Sequence, residues 1–186
     1  MTQTVLDALQ ALNIRYQKAH QKQHNSLPIN EELADLASPC VVQECVGDTD
    51  GKNVVWQAVQ RDIQADFLNV EQAIELTLDE SVKLFFGSQY SADIDATFSG
   101  NSLTLIQVWN DEDFDRLQEN MLGHLVMQRR LKLKPTLFIA ATDDEMKIIS
   151  VCNLSGEVIL EKIGTNNRDV LASDLVEFLN QLEPKV

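Results

Sequence analysis

Two groups of carboxylates are the residues whose types and spacing could do chemistry in this chain. Asp93-x-Asp95 sets two acids on one side of an extended segment, and Asp111-Glu112-Asp113 stands at the start of a helical pattern. Acids so grouped can hold divalent metals in phosphoryl-transfer enzymes, and a metal on Asp93, Asp95 and Asp113 is the catalytic use open to them. That chemistry also needs cations to grip the phosphates. From Leu84 to Asp115 there is no Lys or Arg, against six carboxylates. The same absence leaves an acidic field available to a basic partner. Asp93, Asp95, Asp111, Glu112, Asp113, Asp115 and Glu119 are therefore the candidate partner-binding residues. No catalytic residue, metal ligand or cofactor is assigned.

The remaining reactive side chains are weaker candidates. His20 and His24 stand four apart on a helical pattern and share a face, but a closed zinc site needs two more ligands. Cys40 and Cys45 supply them only if the fold brings them close. His124 sits mid-helix among Leu122, Leu125 and Val126 with no nucleophile or acid beside it, so it reads as a packed histidine rather than a general base. Asp48-x-Asp50-Gly51 fails as a calcium loop: its glycine comes too early, and Val59 stands where the bidentate Glu belongs. Neither a glycine-rich phosphate loop nor a Gly-x-Ser-x-Gly elbow occurs.

Charge narrows the partners. The 186 residues carry 29 acidic and 15 basic side chains, a net charge of −14. Such a surface repels phosphate backbones, which excludes nucleic acid as a ready partner, and it repels an anionic lipid leaflet. Basic proteins are attracted. Three cysteines without a Cys-x-x-Cys spacing read as reduced thiols in a cytosol. No signal peptide and no run long enough to cross or insert into a bilayer is visible.

The elements that must position the acids are readable in outline. Val5, Leu9, Leu12, Tyr16 and Ala19 recur at helical spacing over residues 3–22. Residues 40–46 and 53–59 read as a hairpin about Gly47 to Gly51. Ile63 to Phe86 reads as mostly helical, with Asn69 as N-cap and Gly87 as the stop. Ile94, Ala96 and Phe98 alternate with Asp93, Asp95 and Thr97, a strand with one buried and one wet, acidic face. Leu103 to Trp109 is apolar on both faces and reads as a central strand. Asn110 then caps the longest helix, with acids at its positive end and Arg129 to Lys134 at its negative end, as the helix dipole favours. Glu112 is spaced to pair with Arg116. Gly123 inside that helix suggests a neighbouring element packed close. Thr136 to Ala141 is the next strand, and this strand–helix–strand passage could add a parallel pair. Strands at 147–153 and 157–163, a polar loop at 164–168, and a last helix capped by Ser173 complete the chain. The pattern as a whole is α+β: a single domain over residues 1–186, with a mixed, mostly antiparallel sheet and helices packed on it.

At the long helix the chain also resembles a known family. Residues 118–133, QENMLGHLVMQRRLKL, followed by Pro135 and by LFIA at 137–140, resemble the Syd family of bacterial SecY-interacting proteins. VCNLSGEV at 151–158, EFLNQL at 177–182 and Ser38-Pro39-Cys40 extend the likeness along the chain, which is weakest around residues 44–68. The resemblance implies a non-enzymatic cytosolic protein, held loosely at the inner membrane through SecY, that monitors or restrains improperly assembled translocase. It implies relation to the SUKH superfamily, which includes toxin-immunity proteins, and hence the alternative of an immunity-type protein that neutralises a basic toxin. It also implies an acidic concave surface facing the basic cytoplasmic loops of SecY, which fits the abundance of Lys and Arg in such loops.

Overall fold

The structure is a computed structural model and describes residues 1–46 and 52–186. In chain order the elements are α1 (Val5–His24), β1 (Ile29–Asn30), β2 (Val41–Val46), β3 (Lys52–Trp56), β4 (Val59–Gln60), α2 (Leu68–Ile74), α3 (Glu80–Gly87), β5 (Gln89–Tyr90), β6 (Ile94–Phe98), β7 (Asn101–Leu105), α4 (Asp111–Arg130), β8 (Thr136–Thr142), β9 (Lys147–Cys152), β10 (Val158–Lys162), β11 (Arg168–Ala172), α5 (Leu175–Gln181) and β12 (Glu183–Pro184). The α+β class is as expected. The turn and the rejected calcium loop between β2 and β3 lie outside the described residues.

Seven strands form the main sheet, in the order β11-β10-β9-β8-β7-β6-β12. Every pairing in it is antiparallel. The expected parallel pair around α4 is therefore not formed: Leu103 faces Thr142 and Leu105 faces Ala140 across an antiparallel ladder. A helical connection permits either direction, and here β8 begins at the end of the sheet where β7 finishes. β1, β3 and β2 make a separate small sheet, and β4 pairs with β5.

Directly opposed residues in an antiparallel ladder point to the same face, which separates the two sides of the main sheet. Ile94, Ala96, Phe98, Leu103 and Leu105 are buried on one side. There Phe98 stacks on Phe178 of α5 at 5.1 Å between ring centroids, and α1 packs against α3 and α5. Helix α1 is amphipathic by its sequence: Thr4 and Asp7 form a capping box, and Val5, Ala8, Leu9, Leu12 and Tyr16 are its buried stripe. Leu9 and Leu12 lose all solvent contact, which is worth about 1.5–3 kcal/mol each.

Helix α4 lies on the opposite side. Gln128, 1% exposed, bolts it to the sheet: its Oε1 accepts the Thr136 N–H at 2.8 Å and its Nε2 donates to Thr136 Oγ1 at 2.7 Å. Phe114 packs edge-on against Phe67, 5.2 Å away, beside α2. Asn110 caps the helix by accepting the Asp113 N–H at 2.9 Å, as its residue type predicts.

Several local expectations are corrected. The stretch 63–86 is two short helices, because Glu75 adopts φ 53° and breaks the turn. Phe67 occupies the N-cap of α2 without a side-chain bond, so Asn69 is not the cap. Asp174 caps α5, while Ser173 donates to Glu177 from its amide and hydroxyl. Gly123 has nothing within 4 Å of where a Cβ would stand, so no neighbour approaches it. The close approach belongs to Gly87, where a Cβ would lie 2.5 Å from the Ala65 carbonyl oxygen.

Candidate acidic cleft

Asp93 precedes β6 and Asp113 sits in the first turn of α4, and both line one cavity of about 370 Å³. Glu32, Trp109, Asn120 and Phe138 line it too. Its walls come from three places, and three hydrogen bonds tie the start of α4 to residues 36–38. Trp109 Nε1 donates to the Leu36 carbonyl at 2.9 Å, and Asn110 Nδ2 donates to the Ala37 carbonyl at 2.8 Å. Ser38 also donates its hydroxyl to the Trp109 carbonyl. These bonds hold residues 36–38 against the start of α4, and Asn30, Glu32 and Leu33 just before them join the lining, with Glu32 as a third carboxylate.

Asp93 is exposed, yet it lines the cavity and has Asp113, Gln107 and Trp109 as neighbours in that lining. Desolvation raises its carboxyl to about 6, against the Gln107 N–H that it accepts at 2.8 Å; the charges of Asp113 and Asp95 push the same way as desolvation. Asp113 Oδ2 accepts the Trp109 N–H at 2.8 Å, one residue before the position a capping box would use. Its Oδ1 lies 3.4 Å from Arg116, which takes the pairing expected of Glu112. Asp95 accepts the Thr104 hydroxyl at 2.7 Å on the same face of the sheet as Ala141.

The other acids are not all in this cleft. Asp111 accepts the Tyr90 hydroxyl and pairs with Arg61 at 3.3 Å. Arg61, 14% exposed at its side chain, also lies over the Tyr90 ring at 4.4 Å. A cation absent from residues 84–115 is thus supplied from outside that stretch, so the region is not free of cations. Asp115 and Glu119 line a different cavity, of about 270 Å³, with Asn69, Val70 and Leu122 on the α2 side of the helix. Glu112 is exposed between the two flanks. The cause is helical geometry: at 100° per residue, Asp113 and Asp115 are about 200° apart.

The histidines do not assemble a reactive centre. His124 Nε2 lies 3.0 Å from Thr136 Oγ1 and its ring stands edge-on to Phe138. Burial, helped by Arg168, lowers its pKa to about 4, so it is neutral at pH 7. His20 and His24 lie with their ring centroids 5.4 Å apart and their planes tilted by 40°. Among the described residues no three His, Cys, Asp or Glu side chains converge as a metal site, and no helix is long and apolar enough to cross a membrane.

Together these features define an α+β protein with a seven-stranded antiparallel sheet, one long helix laid across it, and an acid-lined cleft where that helix begins. The family model described as Syd protein (SUKH-2) matches residues 6–184. A Protein Syd of Aliivibrio fischeri (strain MJ11) is 54% identical over 186 residues, covering 100% of this chain and 99% of that one. One from Aliivibrio salmonicida (strain LFI1238) is 53% identical over 100% of both chains, and one from Klebsiella pneumoniae is 45% identical over 184 residues, 99% of both. The chain belongs to the Syd family.

Proposed function

We propose that this chain is a binding protein rather than an enzyme, and that it recognises basic cytoplasmic loops of the translocon subunit SecY. By occupying loops that other translocase partners have left free, it monitors or restrains improperly assembled translocase. It works in the cytoplasm and reaches the inner membrane through SecY, without inserting into lipid. The observation that carries this reading is the cleft at the start of α4, where Asp93 and Asp113 line one cavity with Glu32 in a protein of net charge −14. Arg116 also lines the cavity and answers Asp113 at 3.4 Å, whereas Asp93 is partly desolvated with no cation paired to it among the described residues, so a Lys or Arg brought in beside Asp93 relieves the arrangement. Asp95, Asp111, Glu112, Asp115 and Glu119 extend the field around the cleft, which favours fast encounter with a cationic loop. The test is binding of the purified protein to SecYEG in detergent across a salt series. Affinity should be greatest at low salt and fall steadily as salt screens the charges. No binding at low salt, or affinity indifferent to salt, refutes the proposal.

A further inference from the structure

One face of the main sheet is only partly covered. Asp95, Thr104, Ala141 and Ile148 form a directly paired row that runs from β6 across β7 and β8 to β9. All four point to the side on which α4 lies. Within that row Ala141 is exposed, although β8 is the middle strand of the seven. Helix α4 sits over the other end of β8, where His124 and Gln128 meet Thr136. Ile148, beside Ala141, keeps part of its surface in water. Phe138 and Ile106, also half-buried, line the cavity that holds Asp93 and Asp113. Carboxylates and an apolar floor therefore adjoin in one trench.

We infer that the trench seats an amphipathic basic segment: one Lys or Arg enters between Asp93 and Asp113, and a neighbouring apolar side chain lies on Ala141, Ile148 and Phe138. This rests on the basic-loop function proposed above and adds that charge alone is not what the site reads. Charge complementarity selects a cationic occupant. A cavity of about 370 Å³ admits a side chain rather than a folded domain. A purely polar lysine-rich segment leaves the floor wet, whereas an apolar neighbour covers it and strengthens the adjacent ion pair by excluding water. The two contributions differ in their response to salt, since screening weakens the ionic one and leaves the apolar one in place.

Two labelled synthetic peptides of equal charge test this with the full chain. One alternates lysine and serine; in the other, two of the serines are leucines. Fluorescence anisotropy across a salt series should show the leucine peptide binding about tenfold tighter. Both should weaken as salt rises, with their ratio retained. Ala141→Gln puts a long polar side chain on the floor at an exposed site, and it should bring the ratio close to one by weakening the leucine peptide more than the serine peptide. Ile148→Thr, which keeps a β-branched shape, should reduce the preference in the same way. Equal affinity of the unaltered protein for both peptides overturns the apolar seat and leaves the basic-loop function standing. A preference that survives both substitutions overturns its location. If neither peptide nor SecYEG binds at low salt, the basic-loop function fails and this inference with it.

Discussion

Two glycines should respond to alanine with opposite signs. Gly123 is the thirteenth residue of a helix that runs from Asp111 to Arg130, well inside both ends. It is exposed, and a Cβ there meets nothing within 4 Å. Nothing in the fold offsets the backbone entropy that glycine loses in a helix, so Gly123→Ala should stabilise by close to the full propensity difference, about 1 kcal/mol. For a domain of this size that raises Tm by about 2–4 °C. At Gly87 the added methyl would stand 2.5 Å from the Ala65 carbonyl oxygen. The Ala65 N–H donates to the Gly87 carbonyl at 2.9 Å, so the two backbones are also held together. One of them must move, at a cost of about 1–3 kcal/mol. Urea unfolding of both variants measures the two effects, with unchanged m-values showing that stability alone has altered. A destabilised Gly123→Ala, or a Gly87→Ala as stable as the parent, would refute the packing described around these helices.

Two further substitutions probe the acids in and around the cleft. Asp93 binds its proton more tightly folded, near 6, than at the ordinary 3.8. Between those values the folded state holds more protons than the unfolded one, so this group's contribution to stability falls as pH rises through that window. Asp93→Asn keeps an oxygen to accept the Gln107 N–H, so it should be more stable than the parent at about pH 8 and lose that advantage by about pH 4; an advantage independent of pH in urea midpoints would contradict the desolvation of Asp93. Arg61→Ala removes a cation held over Tyr90 and frees Asp111. It should cost about 1 kcal/mol yet tighten binding of a lysine peptide at low salt, and weaker binding in anisotropy would mean that Asp111 adds nothing to the field.

Local signals reach as far as single elements and stop at their pairing. The whole of α4 is readable because its cap, its charge gradient and Pro135 all agree. The alternation at 94–98 likewise marks β6 and its wet, acidic face. By contrast, nothing near residues 103–141 dictates whether β7 and β8 run parallel, since a helix can return the chain either way. β11 escapes notice because Asp169 and Val170 are both exposed at the sheet edge, which spoils the alternation. The segment between α2 and α3 is held by tertiary bonds, among them the Asp79 N–H donated to Asn153 Oδ1 and the Asn153 Nδ2 donated to the Thr77 carbonyl. The cleft was half visible. Asp93 and Asp113 are found by their type and by the lack of nearby cations, but Glu32 and Phe138 reach it only through folding, and the division of Asp111, Asp115 and Glu119 from Asp113 follows from helical rotation. Arg61 shows the limit of counting charges along a stretch of sequence, because its partner Asp111 is 50 residues away.

The short strand β12 bears on solubility. It pairs Glu183 with Thr97 and Pro184 with Ala96, and the Lys185 N–H reaches the Asp95 carbonyl. β6 would otherwise end the sheet with a row of unpaired amides and carbonyls, a template on which another chain could add as a strand. β12 covers that row, and Pro184 has no N–H of its own to offer. A chain that lacks these last residues would leave an edge open to templated aggregation, beside the acids of the cleft.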